Sequence, residues 1–364
     1  MALPVAVAHQ RRQDGTVLRA LSRARRSWSR MSEADLDGSW QRVGPAVVLA
    51  TARGQQAAAL AGAEYVPAAV AAQGLSPAAV GVVEPAMLVG IASDGRPLGS
   101  LLYGGVVTTG QALNAGVAAP VALQQGWAWL QKAVATQVAD AGRVAEFTTM
   151  VATPSVGGYA RMVNPGACAR CVVLAGRVYR VEGFQRHPGC RCTHVPGPED
   201  ADSDIGTDPM AYFESLPTAE QLDAEYPDLT VAQRRARGLY SQEDIFTKAG
   251  AQAIRDGADL SQVVNARRGM STAQVNVRGW PAQGRATRRE VYGHQLFTTT
   301  EGITRRGQAY RSLQQAQWAR DEVKDTGKRY ARLRTPRLMP ESIYEIADGR
   351  DDAIRLLKLH GYIR

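Results

Sequence analysis

All four cysteines of this chain of 364 residues lie in one short window. They form two close pairs, Cys168-x2-Cys171 and Cys190-x-Cys192, separated by an eighteen-residue loop. A chain of this length buries enough apolar surface to fold without a covalent or metal staple. The confinement of the sulfur atoms to one segment therefore predicts a local site that fixes that segment.

The spacing of the pairs predicts a structural zinc site. The Cys-x2-Cys pair is typical of a tight turn that points two sulfurs at one centre, and in extended backbone Cys190 and Cys192 share a face. Zinc binds four thiolate or imidazole ligands in a tetrahedron, and such binding contributes on the order of 10–16 kcal/mol to folding. We predict Cys168 and Cys171 as ligands, together with two of Cys190, Cys192 and His187; His194 is a sixth candidate.

Disulfides and nucleophilic catalysis are the alternatives. Disulfides need an oxidising compartment, and we expect no secretory signal because the charges of "MALPVAVAHQRR" follow a very short apolar run. Closure inside either pair would be strained, although one bridge between the pairs is sterically feasible. A catalytic pair of His187 and Cys190 would need one low-pKa thiolate and an oriented base, which differs from four gathered thiols.

The fold class predicted is mainly α with a small β-hairpin, zinc-knuckle-like insert (α+β) and extended arms at the N- and C-termini. Alanine-rich stretches favour helices at about 33–63, 66–73, 98–114, 119–141 and 143–151. The alternation in "RVYRV" predicts a short strand. Leu101–Gln131 carries no charge but contains polar residues and Pro120, so we predict a buried helical hairpin broken near Gly116–Pro120 and no membrane span.

Composition changes along the chain predict five regions. The clearest boundary is "PGPEDADSDIGTDP", which is acidic and almost free of large apolar residues, as is typical of a linker. Pro340 fits a helix start and Gly361 a helix stop. The predicted regions are a basic N-terminal arm or helix (1–31), an alanine-rich helical domain (32–163), the Cys/His knuckle with short strands (164–196), the acidic linker (197–210) and a C-terminal helical region with an extended basic arm (211–364).

The formal net charge of +9 has the sign expected for contact with nucleic acid or with an acidic protein surface, and it equally suits a soluble protein that its charge merely keeps dispersed. Near the N-terminus, arginines recur at three- and four-residue steps, which places them on one helix face. A second basic run lies near the C-terminus. Either run suits sequence-independent contact with DNA phosphates, or a grip on acidic protein subunits. The predicted DNA- or partner-binding residues are Arg19, Arg23, Arg26 and Arg30, then Arg329, Arg332 and Arg334; Lys328 and Arg337 of the second run are also expected to face DNA.

The motif "CARCVVLAGRVYR…GFQRHPGCRC" resembles the signature of the phage Mu F-like minor head proteins, also called phage head morphogenesis proteins. The segments "DIFTKAGAQAIRDGADLSQVVNARRGM", "TTEGITRRG" and "RLMPESIYEIA…DDAIRLLKLHGYI" are similar to the C-terminal half of that family in phages of actinobacteria. The resemblance covers about residues 140–364. The family motif falls on Cys168, Cys171, His187, Pro188, Cys190, Arg191 and Cys192.

This resemblance implies a minor capsid protein of the virion, placed in the capsid interior near the portal vertex and in the host cytoplasm during assembly. Its implied partners are the portal protein, the major capsid protein and the phage genomic DNA, with no membrane. The alternatives are a capsid maturation protease and a DNA-binding zinc protein. We expect no enzyme, because there is no Gly-x-Ser-x-Gly motif and His9, His294 and His360 are expected at the surface.

Overall fold

The computed structural model describes residues 3–164, 166–176, 178–180, 192–198, 208–268, 270, 272–275, 283–291, 293–299, 301, 303–304, 323–324, 330–333 and 337–363. The described residues divide into two compact units. The first unit takes in Met1–Asn164 and Ala175–Asp208. The second takes in Pro165–Leu174, Pro209–Val277 and Ala282–Arg364.

A helical bundle forms most of the first unit. Helix α1 packs against α2 and α5, α2 packs against α5, and α4 packs against α5. Small residues allow this close packing: a side chain at Gly62 of α2 would overlap the carbonyl oxygen of Gly142 in α5. The helices are α1 (Pro4–Trp28), α2 (Leu36–Ala71), α3 (Leu98–Leu102), α4 (Gly104–Asn114) and α5 (Ala119–Val151), with a 3₁₀ turn at Pro85–Leu88.

The bundle core is apolar and well filled. Trp28, Val47 and Leu130 belong to one buried cluster, with Leu98 and Val138. The predicted helical hairpin is confirmed, because α4 ends at Asn114 and α5 begins at Ala119. No helix within the described ranges is long and apolar enough to cross a membrane.

A small antiparallel sheet completes the first unit. Its strand order is β2-β1-β3, formed by β1 (Gly158–Met162), β2 (Val178–Tyr179) and β3 (Thr193–Gly197). Ala160 pairs with Val178 on one side and with Val195 on the other. Strand β3 contacts α1, α2 and α5, so the strand that follows Cys192 lies directly on the bundle.

Short helices and strands form the second unit. Its helices are α6 (Ala169–Val173), α7 (Pro209–Ser215), α8 (Ala219–Glu225), α9 (Val231–Ala236), α10 (Gln242–Phe246), α11 (Lys248–Arg255), α12 (Leu260–Arg268), α13 (Pro340–Ile346) and α14 (Arg350–Leu359). Its strands are β4 (Thr272–Val275), β5 (Gln283–Ala286), β6 (Arg288–Val291), β7 (His294–Thr299), β8 (Ile303–Thr304), β9 (Val323–Lys324), β10 (Tyr330–Leu333) and β11 (Arg337–Leu338).

The second unit has its own core. Phe213 and Phe246 meet edge to face with ring centroids 5.3 Å apart, and Ile254, Leu338 and Leu357 belong to the same buried cluster. The strands form antiparallel sheets in the orders β11-β7-β6, β8-β10-β9 and β4-β5. The mainly helical class with small antiparallel sheets is therefore confirmed.

The prediction of extended terminal arms is wrong for the residues described. Helix α1 is an integral member of the bundle and buries Ala20, Ala24 and Trp28. Strand β11 pairs with β7, and Met339 and Ile343 are fully buried. Both terminal segments carry apolar residues at core spacing, and the burial of these residues decides their position despite the high charge of the segments. Most of the predicted acidic linker, residues 199–207, lies outside the described residues.

Candidate functional site

The first cysteine pair is brought together at the start of α6. Cys168 is the residue that precedes the helix, Cys171 lies within it, and their Sγ atoms are 3.5 Å apart. Cys168 is half-buried, whereas Cys171 is 3% exposed. Cys192 is also buried and belongs to the other unit. His187 and Cys190 lie outside the described residues.

The geometry of this pair fits two ligands of one zinc ion. Around a tetrahedral ion with zinc–sulfur distances of about 2.3 Å, neighbouring sulfurs stand about 3.8 Å apart. The observed 3.5 Å is close to that separation. Among the residues that the structure describes, no group of three or more His, Cys, Asp or Glu side chains is placed to hold a metal. The zinc-knuckle detail of the predicted fold thus remains a prediction.

A buried His–Glu–His network lies where β3 meets the bundle. His9 Nε2 is 2.8 Å from Glu146 Oε1, and His194 Nδ1 is 2.6 Å from Glu146 Oε2. The Tyr65 hydroxyl donates to the carbonyl oxygen of His194 at 2.7 Å, and the Tyr65 ring stacks on His9 with centroids 4.1 Å apart. The network joins α1, α2, α5 and β3.

The electrostatics of the network favour an ionised Glu146. Burial alone would raise the pKa of Glu146, but hydrogen bonds from His194 and His9 outweigh it and hold the pKa well below its ordinary value. Burial, and then the charge of Glu146, raise the pKa of Tyr65 well above its ordinary value. Glu146 is therefore a buried charge that depends on its two histidines.

Sequence reasoning missed this network. The prediction that His9 lies at the surface is wrong, because only 6% of the residue is exposed. His194, a candidate zinc ligand, has its Nδ1 engaged by Glu146. The partners are 137 and 48 residues apart along the chain, so no local spacing reveals them. A cavity of ≈ 280 Å³ adjoins the network and is lined by Gln10, Gln13, Arg143, Glu146, Cys192 and Thr193, among others.

The four predicted arginines near the N-terminus form one exposed stripe, of which three lie on α1 and Arg30 follows two residues after its end. Arg19 donates to Thr16 Oγ1 at 2.9 Å and Arg26 to Ser22 Oγ at 3.0 Å, which are neutral partners on the same helix. Within the described part of the chain, no ion pair neutralises the stripe. The stripe consists of Arg19, Arg23, Arg26 and Arg30, all of them exposed.

The C-terminal arginines give less support for a DNA- or partner-binding surface. Arg329 and Arg334 lie outside the described residues, and for Arg332 only its place in β10 is described. Arg337 is 3% exposed; its guanidinium donates to the carbonyl oxygen of His360 at 2.7 Å and lies 4.0 Å over the Tyr362 ring. The prediction that Arg337 faces DNA is therefore wrong. The surface prediction also fails for His360, which is buried, and holds for the exposed His294.

A groove of ≈ 1160 Å³ lies around the start of α11 in the second unit. Thr247 precedes this helix with φ = 69°, the one non-glycine residue with positive φ in the described ranges. Its Oγ1 accepts from Arg267 at 2.9 Å, and Arg267 also pairs with Glu341. These bonds connect α11, α12 and α13. They also hold Thr247 in a backbone conformation that L-residues rarely adopt.

Comparison with known proteins gives one match. A family model described as "VG15 protein" matches residues 106–219, under a third of the chain. The matched range contains the whole cysteine window. No curated protein and no solved structure matches. VG15 is a phage-associated family, so the match indicates that this chain is a phage protein.

Proposed function

We propose that this chain is a minor head protein of a tailed phage, bound near the portal vertex inside the capsid. The observation that carries the proposal is the match to a phage-associated family over residues 106–219. That range includes Cys168, Cys171, His187, Cys190 and Cys192, the residues on which the resemblance to head morphogenesis proteins rests. The partners proposed are the portal protein and the major capsid protein.

The α1 stripe supports a contact with an anionic partner. Arg19, Arg23 and Arg26 are exposed on a helix that is anchored in a bundle core, and Arg30 follows two residues after its end, so the stripe presents a line of positive charge. Packaged DNA is the partner that best suits such a line, because phosphate neutralisation is independent of sequence. An acidic surface of a portal or capsid subunit is the alternative.

A structural zinc ion is part of the proposal. Cys168 and Cys171, whose Sγ atoms lie 3.5 Å apart, would supply two thiolate ligands. His187, Cys190 and Cys192 are the candidates for the other two ligands. Zinc would supply folding energy and no catalysis in a site closed by four protein ligands. Replacing both Cys168 and Cys171 with serine should abolish zinc binding, measured by elemental analysis of protein purified without chelator.

Purified particles test the proposed location. Quantitative mass spectrometry of gradient-purified heads should find the chain at a copy number far below that of the major capsid protein. In portal-deficient heads the chain should be depleted, because the portal is its proposed anchor. A chain that stays in the soluble lysate while heads assemble normally would contradict the proposal. Cleavage of purified capsid precursor by the chain would favour the protease alternative instead.

A further inference from the structure

Cys168 and Cys171 have the geometry of a redox-active dithiol as well as that of a zinc half-site. A disulfide requires the Sγ atoms to approach to about 2.05 Å, and they already lie 3.5 Å apart on one short turn. Closure therefore needs a shift of about 1.5 Å, within reach of side-chain rotation alone. The start of α6 already turns both sulfurs toward each other.

We propose that Cys168 and Cys171 form a reversible intrachain disulfide when zinc is absent, with a small-molecule disulfide as oxidant. The two interpretations left open by the sequence, zinc and disulfide, are then two states of the same pair. The inference rests on the proposed function only for its setting: a head assembles in a reducing cytoplasm, and the released particle meets oxidising conditions.

The difference in exposure assigns different roles to the two thiols. Cys168 is half-buried, so it is the more accessible of the two residues to an external disulfide. Cys171 is 3% exposed and belongs to the turn that packs on α12. Cys168 is therefore the attacking thiol, and Cys171 is the resolving thiol that acts from inside the fold.

The thiol–disulfide exchange with glutathione disulfide takes place in two steps. The Cys168 thiolate attacks glutathione disulfide, a mixed Cys168–glutathione disulfide forms, and one glutathione thiolate leaves. The Cys171 thiolate then attacks Cys168 Sγ, the Cys168–Cys171 bond forms, and the second glutathione thiolate leaves. Two electrons pass from the protein to glutathione disulfide, and the two thiol protons go to solvent or to the released glutathione. Zinc bound to the same sulfurs opposes the first step.

Peptide mapping of the full-length protein tests the proposal. Arg170 lies between the two cysteines, so trypsin separates them into the peptides Met162–Arg170 and Cys171–Arg177. After chelation and equilibration with glutathione disulfide, these peptides should be recovered joined, and dithiothreitol should separate them. Zinc loading should slow the joining by more than about tenfold. Joining mainly to the peptides of Cys190 or Cys192, or no joining, would overturn the proposal.

Single variants test the assigned roles. Cys171→Ser should accumulate glutathione on Cys168, whereas Cys168→Ser should take up glutathione on Cys171 roughly tenfold more slowly. Equal rates, or faster reaction at Cys171, would refute the roles. If chelation unfolds the chain, the same peptide mapping is done on zinc-loaded protein treated with glutathione disulfide. Joining of the two peptides together with release of zinc would support the proposal. Scrambled pairing among the four cysteines would refute it. Neither result depends on whether the chain enters phage heads.

Discussion

Glu146 is a single residue that ties together segments far apart in the sequence. Both of its carboxylate oxygens are hydrogen-bonded to histidines, one on α1 and one on β3. A buried carboxylate keeps its charge only while such partners remain, since water does not solvate it. At the residue scale, Glu146 therefore holds β3, and with it Cys192, on the bundle.

Glu146→Gln should lower the free energy of unfolding of the first unit by about 3 kcal/mol, because it removes the charged acceptor of a buried hydrogen-bond network while keeping its shape. Urea unfolding measures the effect. The matched control is Glu64→Gln, which removes the exposed ion pair between Arg12 and Glu64 and should change stability by about 1 kcal/mol or less. Equal effects of the two changes would contradict a special role for the buried network.

The buried His360 should make the stability of the fold depend on pH. Burial, and then the positive charge of Arg337, lower the pKa of His360 to about 3. Its ordinary value in an unfolded chain is about 6.5, so protonation favours the unfolded state. The contribution of neutral His360 to stability is fully present above about pH 6.5 and falls as the pH drops toward 3, by up to about 1.4 kcal/mol per unit.

His360→Asn tests this by removing the titration while keeping an acceptor near the Leu338 N–H, which approaches His360 Nδ1 at 3.4 Å. Between pH 6.5 and the lower limit of folding, the denaturation midpoint of the natural chain should fall more steeply than that of the variant. Parallel curves for the two proteins would show that His360 does not control acid stability.

At the scale of elements, the helices were predictable and their boundaries were not. The sequence predicted breaks after residues 63 and 141, but α2 and α5 continue through both points. Pro67 removes a backbone hydrogen bond inside α2, yet Val66, Ala69 and Val70 around it are fully buried. Their packing outweighs the local preference, and packing partners are invisible to a local pattern.

The candidate sites also differ in how far the sequence could predict them. The pair of Cys168 and Cys171 was predictable because only two residues separate its members, and one turn of chain sets their distance. The contacts of Glu146 with His9 and His194 were not, because they exist only after the bundle and the sheet have formed. The stripe on α1 was predictable as a helix face, but its attachment to a core was not.

The α1 stripe is better tested by charge than by deletion, because deleting residues 1–31 would remove a core helix. The double change Arg23→Gln with Arg30→Gln should weaken binding to duplex DNA and reduce the salt slope of the affinity by about 2. Fluorescence anisotropy at several salt concentrations measures both. The control, Arg42→Gln with Arg53→Gln, removes two exposed arginines of α2 and should leave the slope nearly unchanged. Equal losses would mean that net charge alone attracts DNA.

At the scale of the whole molecule, the described residues include a hydrophobic core in each unit. Leu130 belongs to the core of the first unit and Phe246 to that of the second, and each side chain is almost fully buried. Each core is built from several helices of its own unit, as is expected of a cooperative folding unit. A cavity in one core should therefore act mainly on the unit that contains it.

Leu130→Ala should destabilise the first unit by about 2–5 kcal/mol, and Phe246→Ala should destabilise the second by about 3–5 kcal/mol. Hydrogen exchange followed by mass spectrometry separates the two effects. In Leu130→Ala, peptides from α2 and α5 should lose protection while peptides from α11 and α12 keep theirs, and Phe246→Ala should give the reverse. Loss of protection throughout the chain in either variant would show one cooperative fold, because the free energy of one core would then limit the opening of both.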